Sequence, residues 1–289
     1  MIELSNIILR LALYVDLLLL FGMALFALYS GNVVLRFGPM LRGLALLGAL
    51  LSVTGLLLMT SAMSGETEFA ALWPHLQMML LETDVGAAWV VRLVVLIVVL
   101  IRPVFWIVSI AGAIALASLA WSGHGAMDEG LLRAWHFLSD ILHLLAAGAW
   151  LGGMLALVLL ARGRVDETRI RLLADAVKRF EWVGAAIVLT LSITGVVNYL
   201  FIVGPKLDDM LFGTYGMLLA IKVLLFAGML VLAALNRFHL GPALERSVRD
   251  EQHVVAANAL RRSVLLELGM ALLIVALVAW LGTLSPDAG

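Results

Sequence analysis

The stretch HFLSDILHLLAAGAWLGGM, residues 136–154, sets His136, Asp140 and His143 in an otherwise apolar run. Spacings of four and three put all three on one face of a helix. A neutral imidazole is a ready ligand for a metal ion or a haem iron, and a neighbouring carboxylate can hold a ligating ring in one orientation. His124 closes the preceding apolar run in WSGHG and joins these three as a candidate metal residue. A second group lies earlier in the chain. His75, Met78 and Met79 fall at i, i+3 and i+4, and Met59 and Met63 end the apolar run before them.

The chain has 13 methionines, six histidines and no cysteine. The missing thiols exclude disulfides, thiolate metal sites and thiol redox chemistry. Imidazole nitrogen and thioether sulfur without thiol form the ligand set expected for copper in an oxidising compartment. Two structural readings stand beside this one. The histidines and Asp140 would pair with one another among packed helices, and segment 66–86 would be an interfacial anchor with Trp73 at headgroup level rather than a methionine-histidine lid.

Elements able to position these residues follow from hydropathy. Of 289 residues, 63% are hydrophobic and 13% charged, and the mean hydropathy is +1.09. That composition belongs to polytopic membrane proteins. A net charge of −1 gives no pull toward nucleic acid. Eight runs are long enough to cross a bilayer, near 5–29, 43–62, 84–101, 103–122, 134–161, 178–203, 214–237 and 262–284. The expected fold is an all-α membrane helix bundle forming one domain over 1–289. The start, MIELSNIILR, lacks a basic n-region and reads as a retained first span. The longest gaps are 63–83, 162–177 and 238–261. Segment 66–86 is expected to form a short surface helix, too short to cross and interrupted at Pro74. Arg102-Pro103 leaves room only for a tight turn between the third and fourth spans.

Basic residues orient the bundle. With the N-terminus outside, 14 of the 19 Lys and Arg fall in inner loops, two in outer loops (Arg133 and Lys206) and three within spans. By the positive-inside rule both termini face outward. His124, His136, Asp140 and His143 then lie in the outer half. So do Arg10, Asp16, Arg92, Asn198 and Lys222, as an intramembrane polar network to which Glu267 adds a group nearer the inner side. Arg10, Arg92 and Lys222 are expected to neutralise Asp16 and Asp140 or to reach headgroups. Gly148 and Gly152, four apart, invite close approach of another helix, as do Gly184 and Gly195. Trp150 is too deep for an interfacial belt and is expected to face a helix.

Three stretches together resemble the CopD/PcoD family of copper-resistance membrane proteins. These are HFLSDILHLLAAGAWLGGM, TYGMLLAIKVLLFAGMLVLAALNRFHLGPAL (214–244) and ALRRSVLLELGMALLIVALVAWLGTLSP (259–286). The likeness is strong over 124–286 and generic before it. It implies an eight-span bacterial inner-membrane protein, without enzymatic activity, that moves copper from periplasm toward cytoplasm. By position it makes His124, His136, Asp140 and His143 the copper-handling residues, and it leaves the roles of Tyr215, Lys222, Asn236, Arg237 and Glu267 open. Some relatives carry a fused soluble copper-binding domain. None is seen in this sequence, which leaves a separate periplasmic copper chaperone as the expected partner, beside membrane lipid. The alternative from another class is a redox protein that binds haem b or quinone through the same histidines.

Overall fold

A computed structural model describes residues 2–30, 37–122, 130–162, 167–204, 213–250 and 253–284. Among these the chain is helical without strands. The helices are α1 (Ile2–Ser30), α2 (Gly38–Ser64), α3 (Phe69–Glu82), α4 (Asp84–Ile101), α5 (Phe105–Ala117), α6 (Gly130–Leu160), α7 (Glu167–Ile202), α8 (Thr214–Leu235), α9 (Gly241–Asp250) and α10 (His253–Leu281). A 3₁₀ turn, Ser118–Ser122, extends α5, and a π-helical turn, Asn236–Leu240, joins α8 to α9. Among the described residues eight helical segments are long and apolar enough to cross a membrane, as hydropathy predicts, and α3 is not among them. Eight crossings would place the start of α1 and the end of α10 on one face, here called the terminal face. The opposite face carries most of the described arginines.

The centre of the bundle is α1, which packs against α2, α5, α6 and α10. Its contact with α6 depends on glycine. A Cβ on Gly152 would collide with the backbone of Gly22 and Met23, and one on Gly22 with the carbonyl of Gly148. The approach expected of Gly148 and Gly152 is therefore made, and van der Waals contact between backbones is what holds helices together where lipid removes the hydrophobic drive. Gly184 and Gly195 serve differently. Each meets a side chain, Phe180 and His143 respectively. Leu17, Leu20, Met23, Phe26, Leu151 and Met154 fill the core around the glycine contact.

Two loops are more ordered than hydropathy suggests. The gap 162–177 largely belongs to α7, which begins at Glu167, and the gap 238–261 holds α9 and the start of α10. Both extensions are amphipathic: Ile170, Leu173, Ala176 and Val177 are buried, as are Leu244, Ala257 and Leu260. They pack on one another beyond the apolar spans, where Lys178 and Glu245 lie 3.6 Å apart. A surface helix needs only one apolar stripe, so a search for continuous apolar runs passes over it.

The surface helix α3 forms as expected, with one correction. Pro74 lies inside it and does not interrupt it. Proline removes one backbone donor, and at an exposed position in a short helix water can satisfy the carbonyl left over. Leu72, Leu76 and Met79 of α3 pack with Leu56 and Trp89 in a small cluster against α2 and α4.

Candidate metal site

One face of α6 carries the site. His136, Asp140, His143, Trp150 and Met154 recur at helical spacing along it, from the terminal face to the bundle centre. Opposite stands α7, whose Thr194, Asn198 and Phe201 form the matching stripe.

His136 is buried and stacks on the ring of Phe201, with centroids 4.8 Å apart and planes 10° from parallel. Its Nε2 lies 3.7 Å from Asp140 Oδ2. The other carboxylate oxygen, Oδ1, accepts a hydrogen bond of 2.8 Å from Asn198 Nδ2. Asp140 thus sits between a histidine of its own helix and an amide of α7. Asn198 Oδ1 is buried with no hydrogen-bond partner among the described residues. Lys222 of α8, half-buried, is close enough to interact electrostatically with both Asp140 and His143.

The proton on His143 can be placed by counting donors. Its Nδ1 lies 2.8 Å from Thr194 Oγ1. That hydroxyl has one hydrogen, and the Thr190 carbonyl at 2.6 Å, one helical turn back, is its nearest acceptor. With the hydrogen assigned there, Oγ1 accepts from His143 and Nδ1 carries the ring proton. In the neutral ring this leaves Nε2 as the bare lone pair, and it makes no hydrogen bond among the described residues. A ring locked through one nitrogen with the other left bare is the usual arrangement of a metal-ligating histidine.

The structure brings His136, Asp140 and Asn198 together and sets His143 one turn deeper. It does not close them into a complete site: among the described residues no three His, Asp or Glu side chains converge as a metal-binding group. His124 lies outside the described residues. The residues of the expected methionine-histidine lid face different ways. His75 is half-buried, Met78 and Met63 point outward at 52% and 70% exposure, and Met59 is partly covered by the small cluster. Met79 turns inward, where its sulfur accepts from Thr60 Oγ1 at 3.4 Å. Shared helical spacing fixes direction only to about half a turn, and the packing of α3 on α2 and α4 takes Met79 while leaving Met78 outside.

The wider polar network divides into separate parts. Asn198 and Lys222 belong to the site. Arg10 donates to the Gly282 carbonyl at 2.9 Å, tying α1 to the end of α10. Arg92 is buried, donates through Nε to Ser118 Oγ at 2.7 Å and lies over the Trp89 ring. Neither arginine pairs with Asp16, whose carboxylate oxygens are buried without a hydrogen-bond partner among the described residues. The expected neutralisation of Asp16 is thus not made by these groups. Glu267 is buried in another cluster, where Oε1 accepts from Trp150 Nε1 at 2.8 Å and Oε2 from Asn236 Nδ2 at 2.9 Å. Trp150 does face other helices, and the residue sequence reasoning missed is Thr194. A threonine at that depth is common, and only the fold shows that it meets His143.

Comparison with known proteins places the chain. A family model described as the N-terminal domain of copper resistance protein D-like proteins matches residues 1–135, and one described as copper resistance protein D matches 174–281. Copper resistance protein D of Pseudomonas syringae pv. tomato is 46% identical over 98% of this chain and 97% of its own length. The chain belongs to the copper resistance protein D family.

Two further relatives are less similar. Inner membrane protein YebZ of Escherichia coli (strain K12) is 29% identical over 99% of this chain and the whole of its own. Copper transport protein CutJ of Bacillus subtilis (strain 168) is 31% identical over 78% of this chain and 45% of its own length. The segment bearing His136, Asp140 and His143 falls between the two matched regions, and the family likeness of the N-terminal half is firmer than its generic sequence suggests. No solved structure matches.

Proposed function

We propose that this protein captures copper at the periplasmic face of the bacterial inner membrane and moves it toward the cytoplasm. Family membership supports copper as the cargo, and the relative named as a copper transport protein supports movement. An inner-membrane relative and eight apolar spans support the location. The 14-to-2 arginine and lysine bias supports periplasmic termini, which puts the α6–α7 site in the periplasmic half.

The observation that carries the reading is His143. With Nδ1–H assigned to Thr194, Nε2 is left able to take a ligand. Copper reaching the terminal face would meet His136 and Asp140 first and His143 one turn below Asp140. Asp140, held by Asn198, orients His136 and offsets the positive charge of the cargo. A periplasmic copper chaperone would deliver the ion. The role is that of a carrier rather than an enzyme. Haem b binding finds no support: His136 and His143 share one helix, one ring is covered by Phe201, and the other is tied to Thr194.

Copper uptake into membrane vesicles of known orientation tests the proposal. Uptake is expected in right-side-out vesicles and is lost in His143→Ala. Equal uptake with and without the protein would refute transport.

A further inference from the structure

Below the histidines the same face of α6 leads to a second polar cluster. Trp150 follows His143 by seven residues, about 10 Å along the helix and on the same face. Its indole donates to Glu267 Oε1, and Asn236 donates to Oε2. Both donors are neutral, and among the described residues no lysine, arginine or histidine lies within ion-pair distance of Glu267. Glu267 is 3% exposed. A carboxylate so far from water needs a positive charge beside it or must take up a proton. Asn236 Oδ1, buried and without a hydrogen-bond partner among the described residues, is a further acceptor with nothing to accept.

Soft sulfur lies on the same seam. Met270 is one turn from Glu267 on α10, on the side toward the histidines. Its thioether lies over Gly228 of α8, where an added Cβ would come 2.7 Å from Cε and 3.6 Å from Sδ. Met229, the next residue, is 3% exposed. Asn236 follows it by seven residues and opens the π-helical turn after α8, a distortion that frequently marks a functional site. The seam therefore carries a buried carboxyl group with no cation within ion-pair distance among the described residues, an amide oxygen without a donor, and two thioethers at helical spacing from them, Met270 one turn from Glu267 and Met229 two turns from Asn236.

We propose that Glu267, Met270 and Met229, with Asn236, form an inner transit site for monovalent copper. The thioethers ligate the soft ion, Glu267 neutralises its charge, and Trp150 and Asn236 hold the carboxylate. The ion passes from His143 to Met270 and then toward the arginine face. This rests on copper being the cargo, yet it uses residues distinct from those of the entrance.

The test is anaerobic titration of the full-length protein in nanodiscs with Cu(I), against a chromogenic chelator, with a thermal melt of each variant. Glu267→Gln preserves an acceptor for Trp150 and supplies a donor to Asn236, and Met270→Leu preserves volume. Wild type is expected to bind two ions. Either variant should weaken one site by about tenfold or more while the site removed by His143→Ala is retained. Wild-type titration of both Glu267→Gln and Met270→Leu would overturn the inner site and leave the entrance standing. A single wild-type ion, lost in His143→Ala, would overturn it equally. Unchanged binding in His143→Ala with a loss in Glu267→Gln would count against the entrance and support the inner site. A wild type that binds no Cu(I) would overturn both.

Discussion

Asn198 donates to Asp140 across the α6–α7 interface at 2.8 Å, and this bond decides what Asp140 can do. With one oxygen held by the amide, the carboxylate keeps its other oxygen 3.7 Å from His136 Nε2 and has little freedom to swing. Its part is to orient and to compensate charge. Asp140→Asn and Asn198→Ala should therefore weaken copper binding by about 10–100-fold rather than abolish it, with the fold intact. Copper titration of the two purified variants checks this. Complete loss of binding in a folded Asn198→Ala protein would make Asn198 more than a support.

Orientation can be read independently of metal. The terminal face is expected to be periplasmic, so a reporter active only in the periplasm should work when fused after Gly289 and fail when inserted in 163–166. The reverse pattern would put the histidines on the cytoplasmic side and end the capture model.

The surface helix α3 predicts accessibility at Gln77, which is exposed. A cysteine placed there should react with an impermeant thiol reagent added to spheroplasts. Protection in spheroplasts together with labelling in inverted vesicles would place the helix on the other side.

Packing of α1 against α6 gives a stability prediction. Gly152 touches backbone, which cannot give way as a side-chain tip can. Gly152→Leu should destabilise the bundle by about 3 kcal/mol or more, as overpacked cores do at their upper range. Gly38→Ala, where an added Cβ meets nothing within 4 Å, is the control. Denaturant unfolding in detergent should separate the two, and equal midpoints would contradict the backbone contact.

Hydropathy made the eight spans legible because crossing a bilayer demands about 20 consecutive apolar residues, a signal few other constraints produce. The face shared by His136, Asp140 and His143 was legible for a similar reason, since helical periodicity is local. The partners were not. Thr194 and Asn198 stand 51 and 58 residues from the groups they bond, and Glu267 stands 117 from Trp150. Such pairs depend on which helices adjoin and how each is rotated, and hydropathy specifies neither. The amphipathic start of α7 and the whole of α9 escaped because one apolar stripe among arginines reads as a polar loop. Met79 shows the same limit. Its spacing from His75 suggested a shared task, while packing turned it toward Thr60 and away from Met78.

Copper X-ray absorption on protein loaded with one equivalent tests the central claim most directly, because imidazole gives a distinct scattering signature. The account predicts imidazole nitrogen among the ligands in the wild type and its loss in the His136→Ala/His143→Ala double variant. An identical spectrum in the folded double variant, or sulfur and oxygen ligands alone in the wild type, would contradict it.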